Sequence, residues 1–132
     1  MKSNRDIKHK YELKKLSKKK FEYLLIRAVD EGLGCLGDSV KCSVYFHLEN
    51  SFGLRKEEIP EKPENFSRNL AALFKDGSNY IEKLILKKLY ENAGLEFEYR
   101  EDYSFTDYIN EIKRFLIEKN VKERRKLKCE KG

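Results

Sequence analysis

The sequence has few of the residues that interrupt regular backbone, with two prolines and seven glycines in 132 residues. All-β domains need many tight turns, so this scarcity favours helices. No apolar run reaches the eighteen or more residues of a membrane span, so no membrane partner is predicted. The start, MKSNRDIKHKYELKK, has no apolar segment typical of a secretory signal. We therefore expect a cytoplasmic protein of one domain.

Side chains that carry catalytic or metal chemistry are also sparse. Neither of the two histidines, His9 and His47, lies three or four residues from another histidine or a cysteine, as zinc ligands usually do. No glycine-rich phosphate loop, dinucleotide fingerprint or nucleophile elbow is present. Adjacent acids such as Glu57 and Glu58 are typical of a solvated segment. The sequence therefore predicts a protein that is not an enzyme, with no catalytic residue, cofactor or metal site.

The three cysteines, Cys35, Cys42 and Cys129, cannot all pair within one chain, and none has C-x-x-C spacing. Buried free thiols in a reducing cytoplasm are the favoured interpretation. A regulatory disulfide between Cys35 and Cys42 is the alternative.

Apolar residues recur at helical spacing through most of the chain, which predicts an all-α fold. The first predicted helix starts at Lys18 and weakens at Gly32, Gly34 and Gly37. The others cover about 38–52, 63–75, 78–93 and 104–128. They predict a compact bundle of about five helices, with a basic N-terminal arm and a long C-terminal helix. The arm is 1–17, the helical domain 18–121 and a basic C-terminal tail 122–132.

Residues 38–52 allow two interpretations. Apolar residues recur nearly every fourth position, as on one face of a helix: Val40, Val44, Leu48 and Phe52. Gly53 follows, where a left-handed helix end costs little. Apolar and polar residues also alternate over 40–48, which suits a β-strand. Asp38 as the N-cap and the length of the segment favour the helix.

Turn residues predict other helix ends. Pro63 suits the first position of a helix, and Gly94 suits a helix stop. Ser104 and Asp107 resemble a capping box with Asp in place of Glu. Apolar and polar residues alternate briefly over 95–99, which predicts a short extended segment.

Charge is divided unevenly along the chain. Residues 1–20 carry nine Lys or Arg against two acids, and residues 113–132 carry nine against three. The middle, 21–112, has eleven basic and eighteen acidic residues, so the net charge of +6 hides an acidic body with two basic ends. Clustered cations attract phosphate backbones or acidic protein surfaces. The candidate contacts are Lys18, Lys19, Lys20, Arg124, Arg125 and Lys126, although basic ends that only increase solubility are the simplest interpretation.

Several short motifs lie within residues 21–97: LGDSV, the pair Tyr45-Phe46, FGL, IPEKPENF and LYENAGLEF. With them, this part of the chain resembles a family of small archaeal all-helical domains, the Nitrosopumilus output-domain group. The resemblance implies a cytoplasmic module of archaeal signal transduction or regulation. It also implies a protein partner, such as a KaiC-like ATPase or a transcription regulator. The motifs concern helix caps and turns, so they bring no catalytic residue with them.

Two functional hypotheses follow. The favoured one is a non-enzymatic adaptor that binds another protein, with Tyr23, Phe46 and Tyr90 as aromatic anchors. The same aromatic surface would also serve a homodimer. The alternative is a nucleic-acid-binding protein that uses both basic ends. That alternative gains support if 18–20 and 124–126 converge on the folded surface and loses it if they are far apart.

Overall fold

The structure, a computed structural model, describes the backbone of residues 4–130 and the side chains of residues 15–120 and 122. Its longer elements are α1 (Asn4–Gly34), α2 (Asp38–Phe52), α3 (Pro63–Phe74), α4 (Ser78–Asn92) and α5 (Phe105–Glu130). Single 3₁₀ turns cover Lys56–Glu58 and Lys75–Gly77. No strand occurs between residues 4 and 130, so the all-α prediction is confirmed. The strand interpretation of 40–48 is wrong.

The hydrophobic core lies between α1, α3, α4 and α5, and α2 packs on α1 and α3. Helix α4 contributes buried residues over a wide arc. The largest fully buried side chains come from all five helices and from the linker after α2: Phe21, Phe66, Leu25, Leu33, Leu48, Ile59, Leu70, Ile85, Leu89, Ile109, Ile112 and Leu116. Full burial of one such side chain is worth about 1.5–3 kcal/mol. None of the described helices combines the length and the apolar character needed to cross a bilayer.

Helices α1 and α4 approach each other closely at Gly32. A Cβ atom there would lie 2.8 Å from Ile85 Cγ1 and 3.1 Å from Ile85 Cα. Gly32 is therefore a packing residue inside α1, and the helix continues past it. Helix α1 instead ends at Gly34, and Gly37 then adopts a φ of 111° before α2.

Several predicted helix ends are confirmed. Gly53 is left-handed, with φ 67°, and the buried Leu54 donates its N–H to the Leu48 carbonyl at 2.8 Å. Pro63 is the first residue of α3. Ser104 and Asp107 form the predicted reciprocal capping box, each accepting a backbone N–H from the other, at 2.9 and 3.2 Å.

Two local predictions about α2 are wrong. Gly37, not Asp38, is the N-cap of α2, because the Gly37 carbonyl already accepts the N–H of Lys41. Phe52 is exposed, since only the Val44 and Leu48 side of α2 is buried. Residues 95–99 belong to neither a helix nor a strand, and the described chain offers no neighbouring strand for them to pair with.

The first helix starts at Asn4 rather than at Lys18. The predicted arm, 1–17, therefore continues into the first helix without a break from residue 4 onward. Lysine, glutamate and leucine are good helix formers, so this part of the sequence favours a helix. The long C-terminal helix is present as α5.

Candidate functional site

The first and last helices run antiparallel. Ser17 of α1 is buried, and its Oγ accepts a hydrogen bond from Asn120 Nδ2 of α5 at 2.7 Å. One turn further along α1, Phe21 lies under Lys113, whose Nζ is 4.9 Å from the ring centroid. Residue numbers thus rise along α1 as they fall along α5. The part of α1 before Ser17 and the part of α5 after Asn120 extend from this contact in the same direction.

A cleft of about 220 Å³ lies where the two helices meet. It is lined by Ser17, Lys18 and Phe21 of α1 and by Lys113 and Ile117 of α5. Its floor is apolar, whereas both of its charged residues are cations from different ends of the sequence. The antiparallel packing therefore joins the two basic segments into one surface.

The predicted site residues are described to different extents. Lys18, Lys19 and Lys20 are exposed on α1. The backbone of Arg124, Arg125 and Lys126 belongs to α5, but their side chains lie outside the described residues. A helix rises by about 1.5 Å per residue, so, counted from the Ser17–Asn120 contact, the backbone of 18–20 lies roughly 10 Å from the backbone of 124–126 along the helix axes.

Other cations lie near these residues. Together, the described cations of 15–20 and 113–122 form a basic edge. They are Lys15, Lys18, Lys19, Lys20, Lys113, Arg114, Lys119 and Lys122. The acids within 15–22 and 113–122 are Glu22 and Glu118. The sequence prediction missed Lys113 and Arg114 because they lie at the start of the basic C-terminal stretch, outside its densest cluster. The signal that would have found Lys113 is its position opposite Phe21 and Lys18 in an antiparallel pair of helices.

A second surface lies between α2 and α3. Its groove of about 380 Å³ is lined by Ser39, Val40, Ser43, Val44, His47, Leu73 and Phe74. Phe46, on the neighbouring part of α2, is 62% exposed, and Tyr23 is exposed to the same extent on α1. Tyr90 does not fit the predicted role of interface anchor, because it is buried and donates its hydroxyl to Glu111 at 2.9 Å.

The thiols of Cys35 and Cys42 are free and exposed, so the prediction that they are buried is wrong. Both lie near the turn between α1 and α2, on the side away from the core. The side chains of Cys129 and His9 lie outside the described residues. Within the part of the chain that the structure describes, no group of three or more His, Cys, Asp or Glu could hold a metal ion.

Asp30 is the centre of a polar network that ties α2 and the following turn to α1. It accepts hydrogen bonds from Tyr45 Oη at 2.5 Å and from Lys56 Nζ at 2.8 Å. Burial opposes the ionisation of Asp30, but these two bonds outweigh it, so the pKa of Asp30 is lowered. The pKa of Tyr45 is raised, first by burial and then by the carboxylate of Asp30. This network is structural, since each member has a partner in it.

Comparisons with protein-family models, with curated proteins and with solved structures find no match for the chain. The resemblance to the Nitrosopumilus output-domain group therefore stays a prediction. Functional assignment rests on the geometry and charge of the described surfaces.

Proposed function

We propose that the chain binds nucleic acid through the basic edge. The observation that supports this most strongly is that Lys18 of α1 and Lys113 of α5 line the same cleft. The nucleic-acid hypothesis gains support where cations from the two basic ends of the chain, 1–20 and 113–132, come together, and Lys18 and Lys113 belong to these two ends. Basic ends that served only for solubility would not need to be adjacent.

The distribution of charge supports a single binding face. A cationic surface gains affinity for nucleic acid by releasing the counterions that surround the phosphates. Residues 21–112 carry more acidic than basic residues, so the body repels phosphate. Nucleic acid should therefore contact the α1–α5 side, and contacts made by lysine to phosphate predict little dependence on base sequence.

Fluorescence anisotropy with a labelled single strand and a labelled duplex tests the proposal. We expect binding at about 50 mM salt that weakens steeply towards 200 mM, with a linear dependence of log affinity on log salt. The variant K18A/K19A/K20A should bind at least about tenfold more weakly at 50 mM salt, with a salt slope smaller by about 2–3.

A matched control removes three cations from the acidic body. K41A/R68A/K87A makes the same change in net charge, and binding should change less than about twofold. The variant R124A/R125A/K126A tests the other basic segment and should weaken binding as the α1 variant does. A flat titration with both nucleic acids, or equal losses in the edge variant and the body control, would contradict the proposal.

The adaptor hypothesis is the second candidate, and the groove between α2 and α3 favours it. An exposed phenylalanine beside an apolar groove is a common feature of protein-binding surfaces. A cytoplasmic adaptor of archaeal signal transduction or regulation, with a KaiC-like ATPase or a transcription regulator as its partner, would use this surface. Phe46→Ser should then abolish capture of the partner, while K18A/K19A/K20A should not. Light scattering of the purified chain tests the homodimer, which should dissociate in Phe46→Ser if it uses the same face.

A further inference from the structure

A separate cavity of about 280 Å³ lies between α4, residues 97–103 and the start of α5. Half of its lining residues are aromatic: Phe97, Tyr99, Tyr103, Phe105 and Tyr108. Small-molecule sites usually measure about 300–1,000 Å³, so this cavity suits a small ligand or a single side chain. It shares no lining residue with the cleft of the basic edge.

The aromatic wall is held in place by hydrogen bonds. Tyr108 Oη donates to the Arg100 carbonyl at 2.9 Å and accepts the Arg100 N–H at 2.6 Å. Arg100 Nη1 donates to Tyr103 Oη at 2.7 Å and to Glu111 Oε2 at 3.1 Å. The rings of Tyr103 and Phe97 pack against Tyr108, with centroids 5.1 and 5.3 Å away. The segment therefore has fixed partners, and ligand binding would not have to order it.

Glu82 of α4 supplies negative charge to this aromatic wall. Its side chain is partly buried and accepts a hydrogen bond from Ser67 Oγ at 2.5 Å. Among the ion pairs of the described side chains, none neutralises Glu82. Burial raises the pKa of Glu82, and the bond from Ser67 only partly offsets this. A cation that entered the cavity would favour the charged form of the Glu82 carboxylate and would be attracted by it.

The cavity already shows one ammonium on an aromatic face. Lys83 Nζ lies 4.2 Å from the centroid of the Tyr99 ring, within the range of a cation–π contact. Lys83 and Tyr99 are both exposed, so this lysine can move away at little cost. Its ammonium would repel an incoming cation and attract an anion. Lys83 and Glu82 should therefore have opposite effects on the affinity of the cavity for a charged ligand.

We propose that this cavity binds an alkylated ammonium group, such as that of a small quaternary amine or a methylated lysine. Alkylated ammonium is weakly hydrated, and aromatic walls with a nearby carboxylate are the usual way proteins recognise it. An anion would meet Glu82 and Glu101 at the same wall. A neutral apolar ligand would desolvate the Glu82 carboxylate without compensation.

Titration calorimetry and NMR with tetramethylammonium chloride test the proposal, with potassium chloride as the control for ionic strength. We expect saturable binding of tetramethylammonium and no binding of potassium. Glu82→Gln should weaken binding at least about fivefold, because it removes the charge and keeps the hydrogen bond with Ser67. Lys83→Ala should strengthen binding about two- to fivefold, because it removes a competing cation. Tyr80→Ala, an exposed tyrosine on α4 outside the cavity, should have no effect.

The ligand's source is decided by comparing choline with free trimethyllysine and with unmodified lysine. Tighter binding of choline identifies a free amine as the ligand, and tighter binding of trimethyllysine identifies a modified side chain. Weaker binding in Lys83→Ala, or no binding of any of the ammonium compounds to the wild-type chain, would overturn the proposal. Normal melting of Glu82→Gln shows that its weaker binding is not a folding defect. K18A/K19A/K20A should bind tetramethylammonium normally, so failure of this proposal is distinct from failure of the nucleic-acid proposal.

Discussion

The two halves of α1 differ in what holds them to the rest of the molecule. The second half, from Phe21 to Leu33, is buried against α4 and α5 by apolar side chains and by the close approach at Gly32. At Ser17 the helix is joined to α5 by a polar pair with Asn120, beside a cleft lined by lysine. The second half of α1 therefore stabilises the hydrophobic core, whereas the region around Ser17 belongs to a positively charged surface. Substitutions along α1 should separate stability from binding.

The largest contrast is expected between two leucines of α1. Leu25 is fully buried, whereas Leu16 is 51% exposed near the cleft. Leu25→Ala should lower the free energy of unfolding by about 2–5 kcal/mol, because it leaves a cavity in the core. Leu16→Ala should change it by less than about 0.5 kcal/mol. Urea denaturation followed by circular dichroism measures both, and similar losses would mean that the two halves are packed alike.

Replacing each of two glycines near the end of α1 by alanine should change the stability of the fold in opposite directions. Gly32→Ala should destabilise the fold by about 1–3 kcal/mol, because the new Cβ would meet Ile85, although alanine favours the helix. A Cβ atom at Gly34 would meet no other atom within 4 Å. Gly34→Ala should therefore leave the stability of the fold unchanged or raise it by up to about 1 kcal/mol. Thermal melting of both variants checks this. Equal stability of the two variants would show that α1 and α4 can move apart at no cost.

Local sequence patterns predict the helices well but not their contacts. Gly53, Pro63 and the Ser104–Asp107 pair were predicted correctly because a helix end depends on a few neighbouring residues. The role of Gly32 depends on Ile85, which is far away in sequence, and no periodicity reveals that contact.

The candidate sites show the same limit. The sequence shows three consecutive lysines, Lys18, Lys19 and Lys20. Charged side chains are expected to be exposed, and these three are. The proximity of Lys18 to Lys113 depends on the antiparallel register of α1 and α5, which is fixed by packing. The aromatic cavity was missed for the same reason, since Glu82 and Tyr103 belong to separate elements.

A smaller effect is expected at the Ser17–Asn120 pair, which joins the two basic segments. Ser17→Ala and Asn120→Ala should each cost about 1 kcal/mol of stability, and the double variant should cost less than their sum. Chemical denaturation of the four proteins gives the coupling energy. Lys19→Ala combined with Asn120→Ala is the control, and its effects should be additive because Lys19 is exposed and Asn120 is hydrogen-bonded to Ser17. Additivity in the serine cycle as well would mean that this pair does not fix the register.

The smallest effect is expected at Asp30, where the packed half of α1 also carries charge. Its pKa is lowered, so the charged network stabilises the fold above the ordinary aspartate pKa of about 3.9 and loses this effect as the pH falls below it. Tyr45 stays protonated throughout, since its pKa is raised.

Asp30→Asn should cost about 0.5 kcal/mol at neutral pH, because Asp30 and Lys56 are each about a third exposed. Thermal melting of both proteins between about pH 7 and pH 2 should show this gap closing in acid, because protonation removes the same charge from the wild type. A gap that stayed constant would assign the role of Asp30 to hydrogen bonding alone.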